Sequence, residues 1–175
     1  MMILLIILSL LLTPGKINDH GYPVPEKTEK LLFYIQRNHN ANTIIYDANF
    51  DKNGNLVKSK PVDVYWKRYE EESQRMELRT FEKWYVYGVS CSLVDKKTNT
   101  FKIRLMADKT RDFWLKQLAP FKAVVMTEIN GTMGKLDHLY IYADESGVWP
   151  VVKYIELFGE DPETHTGLYE KLIVD

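Results

Sequence analysis

From Leu31 onward the hydrophobic pattern repeats every second residue. Ile44, Tyr46, Ala48 and Phe50 alternate with Thr43, Ile45, Asp47 and Asn49. Val62, Val64 and Trp66 alternate with Asp63, Tyr65 and Lys67, and Phe101, Ile103, Leu105 and Ala107 alternate with Lys102, Arg104 and Met106. A period of two is the mark of a strand with one face in the core and one in water. Turn residues separate these runs. Asp51-Lys52-Asn53-Gly54 follows the second strand, and Asp95 to Thr100 joins Ser90–Val94 to Phe101–Ala107. Asn130-Gly131 follows Phe121–Ile129, and Asp144-Glu145-Ser146-Gly147 follows Leu139–Ala143. Asn-Gly is among the strongest short hairpin signals, because both residues accept positive φ. Val151–Phe158 and Leu168–Val174 form the last predicted pair, joined by a longer loop.

One segment breaks the pattern. Leu78, Phe81, Trp84 and Tyr85 fall at helical spacing, with Glu70, Glu71 and Glu72 ahead of them and Arg75, Arg79 and Lys83 among them. That charge order suits a helix dipole, and Gly88 is a natural stop. The spacing predicts one amphipathic helix near residues 73–87, packed on the sheet through its aromatic side. About nine antiparallel strands and one helix predict a mainly β chain, as a barrel or a sandwich. The pattern does not choose between them.

The first twelve residues read differently again. Met1 to Leu12 contains eleven apolar residues and no charge, and Thr13-Pro14-Gly15 ends the run. A bilayer span needs ~20 residues, whereas the hydrophobic region of an export signal needs ~7–15. Residues 1–15 are therefore expected to be a signal peptide. That places the protein outside the cytoplasm, periplasmic or extracellular, with no transmembrane span in the mature chain. Residues 16–30 carry Pro23 and Pro25, which oppose helix, and read as an extended linker. Residues 31–175 read as a single β-rich domain.

Composition sharpens this in two places. Cys91 is the only cysteine, so no intrachain disulfide can form; within an apparent strand it reads as a small buried hydrophobe. The formal net charge of −1 and the lack of a dense basic run argue against nucleic acid as a partner. Eleven tyrosines and four tryptophans lift the aromatic share to 13%. Such rings fill β cores and also line ligand and protein-binding surfaces. Tyr34, Tyr46, Tyr65, Trp66, Trp84, Tyr140 and Tyr142 are the candidate ligand-binding residues.

The search for chemistry yields near misses. Asn49 to Gly54 resembles the opening of a calcium loop, but Lys60 stands where the closing acid belongs. The segment reads as a hairpin turn; a weak site on Asp47 and Asp51 is the alternative. His20, His39, His138 and His165 show no metal-ligand spacing, and no metal or other cofactor is expected. The alternation groups His138 with Leu136 and Tyr140. Gly88-Val89-Ser90-Cys91-Ser92 misses the nucleophile elbow, which requires a sharp strand-to-helix turn. No catalytic residue is assigned.

Several blocks resemble one family. They are Leu32 to Asn38, Asn42 to Asn49, Pro61 to Trp66, Tyr87-Gly88-Val89 and Tyr154 to Gly159. Together they are similar to DUF4833, an uncharacterised group of exported bacterial proteins, over roughly residues 31–174. The resemblance implies a bacterial envelope or secreted setting and carries no reaction, cofactor or catalytic residue. Three functions stay open. One is a non-catalytic exported domain binding a small apolar or amphipathic ligand. Another is a structural or protein-interaction module that engages an envelope protein. The third is a hydrolase with dispersed acids and histidines, which requires His39, His138 or His165 to meet a carboxylate in a cleft.

Overall fold

The computed structural model describes residues 16–108, 110–148 and 150–174. The expected signal peptide lies outside the described residues. Eleven strands form one curled sheet, an open half-barrel. They are β1 (Leu31–Arg37), β2 (Asn40–Ala48), β3 (Val62–Arg68), β4 (Gln74–Glu77), β5 (Val89–Asp95), β6 (Thr100–Leu105), β7 (Phe113–Ala119), β8 (Lys122–Ile129), β9 (Thr132–Asp144), β10 (Val151–Glu160) and β11 (Gly167–Ile173). The order is β4-β3-β2-β1-β9-β8-β7-β6-β5, with β10 on β9 and β11 on β10.

The mainly β reading holds, and the details differ in three ways. β4 and β7 join the nine expected strands. The sheet is mixed, because β1 runs parallel to β9 with Tyr34 opposite His138. The expected helix is mostly absent: its first part is β4, paired to β3 with Met76 opposite Trp66. Only Glu82–Val86 is helical, as a wide π-type turn in which Tyr87 N–H donates to the Glu82 carbonyl at 2.8 Å. Hairpin pairing with the preceding strand β3 overrode the local helical spacing. Gly88 ends the turn because a Cβ there would sit 1.7 Å from the Lys83 carbonyl oxygen.

β9 is the hub. Lys135 pairs with both Met126 of β8 and Glu160 of β10, so those strands lie on opposite edges of β9. β1 takes over along residues 138–141, where β10 still holds the other edge. The β8–β9 turn has Asn130 and Gly131 both at positive φ, as Asn-Gly demands. Two bulges reset the alternation. Phe158 pairs with His138 and Gly159 with Leu136, leaving Asp137 as an extra residue on β9. Leu136 and Leu139 therefore both enter the core, and His138 does not face with Leu136 as simple alternation predicts. A second bulge at Lys153 lets Val152, Ile155 and Leu157 of β10 share one side.

The core lies on the inside of the curl. Phe33 stacks on Tyr46 at 4.2 Å between ring centroids, with Ile44, Ile103, Leu115 and Val125 fully buried around them. β1 is buried on both faces, since residues 16–25 dock across its outer side. There Gln36 Nε2 donates to the Pro23 carbonyl at 2.8 Å, and Tyr22 hydroxyl donates to the Asn38 carbonyl at 3.0 Å.

Candidate functional site

The concave face is incompletely filled. Between β1, β9, β10, β11, the end of β6 and the helical turn lies a cavity of about 570 Å³. Aliphatic side chains make its walls: Ile35, Leu139, Ile141, Val152, Ile155, Leu157 and Leu172. Among the described residues no helix spans the curl to plug the gap. The volume falls within the ~300–1,000 Å³ usual for small-molecule pockets.

Polar groups also reach the cavity. Arg37, Asn38, His39, Glu82, Asp108, Arg111 and Glu145 line it. Most are committed to protein partners. Arg111 grips Glu170 with two hydrogen bonds, at 2.8 and 3.1 Å. Glu82 Oε2 accepts the Arg79 N–H at 2.7 Å and the Trp66 indole N–H at 3.3 Å. Asp108 accepts from the Thr110 backbone and hydroxyl, at 2.9 and 2.6 Å. His39 Nδ1 lies 2.7 Å from Glu145 Oε2. Arg37 differs. Its guanidinium lies 5.0 Å from the Trp66 ring centre and 5.7 Å from that of Tyr87. Its Nε is buried and has no hydrogen-bond partner. Burial pushes the Tyr87 phenol up, and the Arg37 charge beside it draws it partly back.

All four histidines meet a carboxylate. His20 Nε2 lies 3.0 Å from Glu156 Oε2, His138 Nδ1 2.9 Å from Asp137 Oδ2, and His165 Nδ1 2.6 Å from Glu160 Oε1. Only His39 with Glu145 does so at the cavity, on an exposed rim. No Ser, Thr or Cys is among the described lining residues. Cys91 sits elsewhere on β5, where burial pushes its thiol up to about 11, away from thiolate chemistry. No group of three metal-ligating side chains occurs among the described residues. Asp51 is spent on the turn, accepting from the Asn53 and Asn55 backbone at 2.8 and 2.9 Å.

The seven aromatic candidates are scattered, and none is among the residues lining the cavity. Tyr46 is wholly buried, its hydroxyl donating to the Tyr87 carbonyl at 2.8 Å. Trp66 is buried beneath Arg37 and Arg68. Tyr65 donates to Asp47 Oδ2 at 2.9 Å, with Arg75 3.7 Å above its ring. Tyr34 and Tyr140 are buried on the convex side, stacked on His138 at 4.8 Å and on His20 at 3.5 Å. Tyr142 stacks on Tyr154 at 4.9 Å and is partly exposed. Trp84 stands out from the helical turn. The aliphatic lining escaped sequence reasoning because Ile and Leu on strands signal only core. Arg37 left one trace, a charge closing the apolar run Leu31–Ile35.

The family model for the domain of unknown function DUF4833 matches residues 33–171. The chain belongs to this family. No curated protein and no solved structure matches it. The matched span of this DUF4833 domain takes in most of β1 and β11 and everything between, hence the cavity walls except Leu172, while residues 16–25 precede it. No helix among the described residues is long and apolar enough to cross a membrane.

Proposed function

We propose that this DUF4833 domain is an exported, non-catalytic binding protein that holds a small apolar or amphipathic ligand in its concave cavity. The cavity carries the reading: about 570 Å³ walled mostly by apolar side chains, with a minority of polar groups among them. A water-filled space with such walls is unfavourable, and an apolar ligand relieves it. The uncharged apolar run of residues 1–12 supports export. The test compares native with denaturing mass spectra of protein recovered from its own host. Mass lost on denaturation supports the reading. If no mass is lost, and the refolded protein also fails to take up a fluorescent apolar probe, the proposal is wrong.

One observation favours a second reading, an interaction module. Phe81, Trp84 and Tyr85 are 66%, 65% and 69% exposed on one short turn. Three exposed rings so close together are a common signature of a contact surface. Replacing Trp84 and Tyr85 by Ser separates the two readings, since Phe81 also lines the cavity. Loss of an envelope partner with probe binding intact would favour the module.

A further inference from the structure

We infer that the ligand is an anionic amphiphile, a carboxylate on an apolar chain, and that Arg37 receives its head group. The inference rests on the cavity's being a binding site. It adds the sign of the ligand's charge and the ligand's orientation.

The argument starts from pairing. Three acids and two arginines line the cavity. Glu82, Asp108 and Glu145 already accept hydrogen bonds from the protein, or lie within hydrogen-bond distance of His39. Arg111 already holds Glu170 at both oxygens. Arg37 has no carboxylate within ion-pair distance among the described residues; it meets the Tyr87 hydroxyl, and its Nε is shut off from the cavity. A guanidinium at a cavity wall without an acidic partner suits a carboxylate, which its fork grips with two parallel bonds. Trp66 and Tyr87 stack beside the guanidinium and hold its plane in place. A head group at Arg37 leaves the chain to run along Ile35, Ile141 and Ile155 toward the buried Leu139 and Leu157. A neutral or cationic amphiphile of the same length leaves Arg37 unmatched.

Dodecanoate and dodecanol, titrated into the full-length domain by calorimetry, test this. Dodecanoate is expected to bind at least about tenfold more tightly, the factor that one charge-assisted pair supplies. Arg37→Met should abolish that preference and leave dodecanol binding unchanged, which also shows that the cavity is intact. Arg37→Lys should retain part of the preference, keeping the charge without the fork. Should either variant fail to fold, isotope-filtered NOEs in the wild-type protein decide. The methylene beside the carboxylate should contact the Arg37 side chain, and the terminal methyl should contact Leu139 or Leu157. Equal affinities in the wild type, a preference that survives Arg37→Met, or the reversed orientation would overturn the inference and leave the cavity reading standing. If neither compound binds, the cavity reading fails and this inference with it.

Discussion

On the convex face of β1, β9 and β10, rings stack on rings. His138 lies between Tyr34 and Phe158 at 4.8 and 4.3 Å, Tyr140 lies under His20, and residues 16–25 close over them. On the concave face, Ile35, Leu139, Ile141, Ile155 and Leu157 of the same strands surround empty space. The same three strands thus carry one face sealed by the protein's own chain and one face left open. Flat rings reach a neighbour one strand away and fill a layer by themselves. Branched aliphatic chains need a partner from across the curl, and among the described residues none arrives. The aromatic excess, which looks like ligand-binding material in the sequence, is on this side the seal.

The strongest test of this contrast removes a ring from the packed concave wall. Trp66→Ala should destabilise the domain by about 3–5 kcal/mol, read as a fall in the denaturation midpoint at unchanged slope. A much smaller loss would mean the core tolerates emptiness even where it is packed. Opening the seal should cost less. His20→Ala removes one stacked ring and a neighbour of buried Glu156, for about 1–2 kcal/mol, and amide exchange at β1 should speed up. If stability is untouched, the strap is only resting on the sheet.

Acid separates two carboxylates in opposite directions. The hydrogen bond to His138 holds Asp137 below its ordinary 3.8, against the pull of burial. Its contribution is present above 3.8 and is lost as pH falls through the lower folded value. Asp47 is pushed up, chiefly by burial, with the Tyr65 hydroxyl opposing. Its contribution is full below 3.8 and is lost as pH rises through the higher folded value. Across the acid limb, from about pH 2 to pH 6, Asp137→Asn should flatten the loss of stability on acidification. Asp47→Asn should raise stability near neutrality, since its buried Oδ1 has no partner. Equal slopes in both variants would sink this assignment. The smallest expected change is from Ile155→Trp. Overpacking a filled core costs about 1–3 kcal/mol, but a ring entering open space should change stability by under about 1 kcal/mol while abolishing probe uptake.

Strands were legible wherever alternation and turn chemistry agreed, as in Ile44 to Phe50 and at Asn130-Gly131. The helix was not, because Leu78, Phe81, Trp84 and Tyr85 mimic a stripe of which only Leu78 is buried. The partner that decided the matter is β3, just upstream, and no Gly or Pro marks the turn after Arg68 that folds β4 back on it. The bulge at Lys153 carries no glycine or proline, and the one at Asp137 is marked only by Gly159 on the partner strand, so facing was misread from there onward. The cavity was invisible for a related reason: a wall and a filled core use the same aliphatic residues, and only three-dimensional closure tells them apart.

The parallel pairing of β1 with β9 has a consequence for how the chain matures. Tyr34 meets His138 across most of the sequence, so the central seam cannot close until nearly all strands exist. β1 to β4 can form hairpins early, but until then β1 presents a bare apolar edge. Folding dominated by such long-range closure is slow, and the exposed edge is the point where two half-made copies would stick together.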